Sequence, residues 1–345
     1  MNSLERCLAA LRHEPPDRLP VVLYDAQVAA RIAGYDMIEF SKDPRKLAAA
    51  HLQAQEMLGY DGIIVGCDAV TTAEAMGAEV SYAPDAPPRH HAGCLDRISD
   101  FRKMRPLDPW KDGRLPVWLE AVRIVVEKKG RELFIMGRAD QGPLTLACLV
   151  RGIEPFLVEL CQEEDPEEIR AFLRYCKECA LEIMKAMKSV GAHITSIGDA
   201  IAGPEMLSPE MYEKYVFPLH RELAQDCRKI GIPLSIHICG RTAPIFDTWI
   251  RAGAEMLEID HKTDLASASQ RSAGRACLLG NIDTGVLSRG TVHDVEKAVE
   301  TAIDSVLPRS GFILNAGCLI SAETPVDNLK TMVELARTRG RYSRE

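Results

Sequence analysis

Short runs of consecutive apolar residues alternate along this chain with longer stretches whose apolar positions recur every three or four residues. The first pattern predicts buried strands and the second amphipathic helices. Eight runs stand out: Pro20–Tyr24, Gly62–Gly66, Leu133–Gly137, Ile194–Ile197, Leu234–Ile238, Met256–Ile259, Cys277–Gly280 and Phe312–Leu314. Between several of them the helical pattern carries its own start signals. Asp165-Pro166-Glu167-Glu168 opens a predicted helix over Asp165–Val190, with a capping acid, a first-turn proline and acids at the positive dipole end. Ser208-Pro209-Glu210 opens Ser208–Ile230. Further helices are expected over Val292–Val306 and over Pro325–Arg337, the latter with Thr324 as its cap.

Alternation of apolar strands with helices implies a parallel sheet covered on both faces. Eight such units favour a closed (β/α)8 barrel of TIM type over an open doubly wound sheet. The open alternative lacks support, since neither Gly-x-Gly-x-x-Gly nor Gly-x-x-x-x-Gly-Lys occurs. Leu4, Leu8 and Leu11 sit at helical spacing in a charged segment, predicting an N-terminal helical extension instead of a signal peptide. The proline-rich region Ala83–Val117 reads as loop, a lid or an edge extension. Without an internal repeat or linker, one domain over residues 1–345 is expected.

Composition narrows the function. Of 345 residues 46% are hydrophobic and 27% charged, enough for a large core. Acids exceed bases, 50 to 42, with no long basic cluster, which argues against nucleic acid as a partner. No uncharged apolar run reaches the roughly 18 residues of a membrane span, so a cytoplasmic protein is expected. Eleven cysteines in such a chain are expected to be reduced.

Barrel enzymes build their sites at the C-terminal strand ends, and polar residues collect there: Asp68, Asp140, Asp199, His237, Cys239, Glu258, Asp260, Asn281, Asp283 and Cys318. Side chains at i and i+2 of a strand share a face, so His237 and Cys239 can point at one centre. In a closed barrel Cys318 returns over the same mouth. One imidazole and two thiolates suit zinc, and three protein ligands with an open position is the catalytic pattern. Asp260 or Glu258 could supply a displaceable fourth ligand. The alternative is that both cysteines merely pack, as free cysteine commonly does. Cys176-x-x-Cys179 lies inside a predicted helix and reads as packing. His90 and His91 read as solvated. Cys7, Cys94, Cys148, Cys161, Cys227 and Cys277 read as filler.

The stretch His237-Ile-Cys239-Gly, with Leu-Glu258-Ile-Asp260, Gly280-Asn281-Ile-Asp283 and Gly-Phe-Ile-Leu-Asn-Ala-Gly-Cys318, resembles the uroporphyrinogen decarboxylase superfamily. It is most similar to the zinc-dependent, corrinoid-linked methyltransferases, which include methylcobalamin:coenzyme M methyltransferases and O-demethylase components. The resemblance runs from about Leu4 to Arg337 and includes Gly142-Pro143-Leu144-Thr145-Leu146-Ala147 and Ser208-Pro209-Glu210-Met211-Tyr212. It implies zinc on His237, Cys239 and Cys318, with Asp260 ahead of Glu258 as fourth ligand. With a metal at the mouth, Asp68 and Asp199 are expected to orient substrate or manage a proton, and Asn281 and Asp140 to contact the substrate. For Asp68 the plainer alternative is a strand-end aspartate capping the next loop.

Two departures separate this chain from the decarboxylases. Their Arg-Gln-x-x-x-Arg segment corresponds here to Asp25-Ala26-Gln27-Val28-Ala29-Ala30-Arg31, with one arginine and an added acid. Their Asn-Leu-Gly-His corresponds to Asn315-Ala316-Gly317-Cys318. The expected function is therefore methyl transfer between a corrinoid and a small substrate, either a thiol such as coenzyme M or an aryl methyl ether. The base-off cobalamin signature Asp-x-His-x-x-Gly is absent, so the corrinoid is expected on a separate protein. A decarboxylase and a non-catalytic zinc-stabilised scaffold are the competing readings.

Overall fold

The structure, a computed structural model, describes residues 1–66 and 68–342. Eight parallel strands follow one another in chain order around a sheet: β1 Val22–Leu23, β2 Gly62–Val65, β3 Phe134–Gln141, β4 Ile194–Gly198, β5 Leu234–Ile238, β6 Met256–Ile259, β7 Cys277–Ile282 and β8 Phe312–Ala316. A parallel bridge between Val21 and Leu314, with Leu314 N–H donating to Pro20 O, joins the last strand to the first and closes a (β/α)8 barrel. Almost every strand residue is buried, which is why the strands read as continuous apolar runs instead of alternating ones.

The bottom of the barrel is held by one carboxylate. Asp61, 1% exposed, accepts hydrogen bonds from Ser3 Oγ, Arg6 Nη1, both terminal nitrogens of Arg18 and the Val21 N–H, all at 2.7–3.0 Å. These contacts dock the N-terminal helix Ser3–Leu11, opened by a reciprocal Asn2–Glu5 cap, against the starts of β1 and β2.

The expected helices form with small boundary changes. Asp165 caps Pro166–Ser189, and Val292–Val306 is as expected. The Ser208–Ile230 segment is not one regular helix: a short turn Pro209–Met211 passes through a π-helical stretch, Tyr212–Val216, into Phe217–Ile230. Thr324 does not cap the last helix, Val326–Thr338; its hydroxyl is buried and makes no capping bond. The segment expected to be loop contains a strand, Ala86–Ala92, that pairs antiparallel with Glu79–Ala83 just before it, and a 3-10 turn, Ile98–Lys103. The next helix, Leu115–Lys129, begins inside its end. His90 is not simply solvated, since its Nε2 lies 2.7 Å from Leu149 O. Among the cysteines read as filler, Cys94 and Cys161 are exposed and the other four are buried. No helix among the described residues is long and apolar enough to cross a membrane.

Candidate metal centre at the barrel mouth

The ends of β5 and β8 meet over the mouth. His237 is the fourth residue of β5, paired with Gly198 on one side and Glu258 on the other, and Cys239 follows two positions later on the same face. Gly240 then turns the chain away at φ +84°, a conformation L side chains rarely adopt. Cys318 lies two residues beyond β8, and two bonds hold its loop. Gly317 N–H donates to Ile282 O on β7, and Ile320 N–H donates to Tyr24 O after β1. A Cβ on Gly317 would sit 2.4 Å from the His261 nitrogen, so only glycine lets the loop come this close.

The result is a compact donor set. One ligating atom from each of His237, Cys239 and Cys318 lies within 4.8 Å of the others, and Nε2 of His237 is 3.1 Å from Cys239 Sγ. Nδ1 of His237 is 2.9 Å from Glu258 O. A carbonyl can only accept, so it fixes the N–H on Nδ1 and leaves Nε2 as the ligating atom, as backbone carbonyls do behind metal-bound histidines. The hydrogen bond from Cys239 and the adjoining His237 hold the Cys318 thiol well below its usual range, against the opposing effect of burial. Cys239 moves up through the same bond with Cys318, with burial and the charges of Cys318 and Asp260 adding to it. Burial pulls His237 down, but Cys318 and Glu258 outweigh it and the net shift is up. A soft, partly ionised pair of sulfurs beside an oriented imidazole fits zinc.

These three residues line a cavity of about 210 Å³ with Tyr24, Asp68, Arg138, Gln141, Glu258 and Asn315, among others. Asp68 faces the cavity but is engaged. It accepts from Val70 N–H, Thr71 Oγ1 and Arg114 Nη1, the last at 2.7 Å, so the capping geometry and a place at the mouth coexist. Glu258 lines the cavity in an ion pair with Arg138 at 3.0 Å, and accepts from Ser235 Oγ at 2.8 Å. Asp260 lies beyond the end of β6. Its oxygens accept from Gly240 N–H (2.9 Å) and Lys262 N–H (3.0 Å), and His261 Nδ1 is 2.9 Å away. The three-residue donor group includes neither acid.

Four expected site residues stand away from the cavity lining: Asp260, and with it Asp199, Asn281 and Asp140. Asp199 is fully buried and its oxygens accept from Leu144 and Thr145 N–H and lie 2.9 Å from His220 Nε2. It anchors the N-terminus of helix Pro143–Arg151 to β4; strand-end position alone could not distinguish that inward-turned role from substrate contact. Asn281 donates to Asp260 O and Thr263 O, tying β7 to the β6 loop. Asp140 is buried behind the mouth, accepting from Thr72 N–H and Gln141 Nε2. Burial and the neighbouring Asp68 push its carboxyl up to about 6.

Arg138 and Gln141 were missed from sequence because β3 runs on past Gly137, through Arg138 to Gln141, fully buried; Tyr24, just past β1, read only as the end of an apolar run. An arginine in an apolar run signals a buried partner, and that was the available clue.

A family model for uroporphyrinogen decarboxylase (URO-D) matches residues 2–339. A methylcobamide:CoM methyltransferase of Methanosarcina acetivorans is 28% identical over 338 residues, spanning 96% of this chain and 97% of that protein. A uroporphyrinogen decarboxylase of Sorangium cellulosum is also 28% identical, over 349 residues, at 98% and 97% coverage. Among solved structures, a methyltransferase from Methanosarcina mazei superposes with a TM-score of 0.89 at 25% identity, covering 98% of both chains. A (β/α)8 barrel carrying an oriented histidine and two convergent cysteines, matched end to end in this way, belongs to the uroporphyrinogen decarboxylase family.

Proposed function

We propose that the protein is a zinc-dependent methyltransferase that moves a methyl group between a corrinoid, carried by a separate protein, and a small substrate at the barrel mouth. The observation that carries this reading is the convergence of His237, Cys239 and Cys318 on one point in an accessible cavity. The similarity to methylcobamide:CoM methyltransferases supports it. His237 Nε2 and the two sulfurs would hold the metal, with Asp260 as displaceable fourth ligand once it gives up a backbone bond. Glu258 is the alternative; Arg138 and Ser235 engage its oxygens, as Gly240, Lys262 and His261 engage those of Asp260. Bound zinc would supply the Lewis acidity that keeps an incoming thiol ionised, or that polarises an ether oxygen.

The chain's own residues prepare the site. Glu258 O orients His237, the Asp199–His220 pair fixes β4 and its following helix, and Arg114 holds Asp68 at the opposite wall. Asp68 would orient the substrate or receive a proton, with Asp140 behind it. A corrinoid brought to the mouth would supply the methyl group to a thiolate, or would accept it from an aryl methyl ether whose phenolate leaves, while these residues would hold the small substrate beside the metal.

Decarboxylation of a many-carboxylate tetrapyrrole finds little support. Arg31, the one arginine retained in the segment after β1, donates to Thr324 O at 2.6 Å, and Arg138 is paired. The test is methyl transfer from free methylcobalamin to a thiol, followed as loss of its absorbance, with and without stoichiometric zinc. Zinc-dependent transfer supports the proposal. Metal-independent turnover of a carboxylated substrate overturns it.

A further inference from the structure

Resting on that reading, we propose that the substrate bound at this mouth has an uncharged tail, and that Glu258 sets this specificity by cancelling Arg138. Arg138 is the only cationic side chain, aside from His237, among the described residues lining the cavity, and it is 4% exposed. Its Nη1 lies 3.0 and 3.3 Å from the two oxygens of Glu258, itself 6% exposed and fixed by Ser235 Oγ. The other lining carboxylate, Asp68, takes the Arg114 guanidinium at 2.7 Å. An anionic tail entering here would meet a guanidinium already neutralised at short range, and the second carboxylate is neutralised by its own guanidinium in the same way. Desolvating an anion without a cation to receive it is strongly unfavourable. Elsewhere the wall is Ala69, Ala200, Ile259, Leu319 and Tyr24 with the neutral amides of Gln141 and Asn315, which suit a small uncharged body.

A neutral thiol and a neutral methyl ether share this chemistry, and the experiment separates them. The chain is loaded with cobalt(II) in place of zinc, and the sulfur-to-cobalt charge-transfer band is titrated with 2-mercaptoethanol, with 2-mercaptoethanesulfonate and with methoxybenzene. The two thiols differ chiefly in the anionic tail. The wild type should bind the neutral thiol at least tenfold more tightly than the sulfonate. Perturbation by the ether with none by the neutral thiol assigns the methyl-ether source of the same uncharged class. In Glu258→Gln the preference should shift at least tenfold toward the sulfonate, because Arg138 regains an uncompensated charge. Equal or tighter sulfonate binding by the wild type overturns the inference, whether or not the variant folds. An unshifted preference in a folded variant overturns the role of Glu258. Failure of cobalt or zinc to bind at all sinks the proposed function itself, and with it this inference.

Discussion

Removing the Asp61 carboxylate should weaken the fold and spare the mouth. Asp61→Ala strands Arg6, whose side chain is 8% exposed, and leaves the buried Val21 N–H without its acceptor. Breaking a buried ion pair by deleting one partner costs about 3–5 kcal/mol. The low end applies, because Arg6 keeps Asp17 at 2.7 and 2.9 Å and Arg18 is 16% exposed and can turn to water. A loss of about 3 kcal/mol lowers the melting temperature of a chain this large by about 5 °C. The candidate metal centre lies at the opposite end of the strands, where barrel function and stability separate. Calorimetry of the metal-loaded wild type and variant at equal protein concentration measures the first effect, and metal analysis of the folded variant the second. A change below about 1 kcal/mol would show that Asp61 is not the fastener. Loss of metal from a folded Asp61→Ala protein would show that the two ends are not independent.

Asp140 should titrate near pH 6, visible as the carboxyl carbon-13 midpoint, and a midpoint below 4.5 would reject its buried placement beside Asp68. Its folded pKa is raised, so the native state holds the extra proton. Stability from this group is present below the unfolded pKa near 4 and lost as pH rises through 6, by about 3 kcal/mol in all. Asp199→Ala should cost about 3 kcal/mol in urea unfolding by freeing His220 and the start of helix Pro143–Arg151, and a loss of activity without loss of stability would restore it to the substrate. Chelation should stop methyl transfer yet leave far-ultraviolet circular dichroism unchanged, because the buried apolar core surrounds the barrel independently of the three ligands; unfolding on chelation would favour a metal-stabilised scaffold.

The barrel was readable because buried parallel strands need apolar residues on both faces, so each strand appears as an uninterrupted run. β5 and β6 match their expected ranges, whereas β3 was cut short at Gly137 because Arg138 and Asp140 break the apolar pattern while remaining buried. The convergence of His237, Cys239 and Cys318 was legible because two of them stand at i and i+2 at the end of one strand and the third follows another. Which strand-end acids face inward was not legible. Asp68 reaches the cavity, while Asp199, one residue past β4, turns back onto backbone amides, a choice made by tertiary hydrogen bonds that spacing does not encode. The hairpin Glu79–Ala92 hid in a proline-rich stretch because Pro87 and Pro88 oppose strand formation in any isolated reading.

X-ray absorption at the zinc edge tests the central claim most directly. The account predicts two sulfurs at about 2.3 Å with one histidine nitrogen at about 2.0–2.1 Å, and one sulfur after Cys318→Ala. A shell without sulfur in the wild type, or two sulfurs retained in the variant, would contradict it.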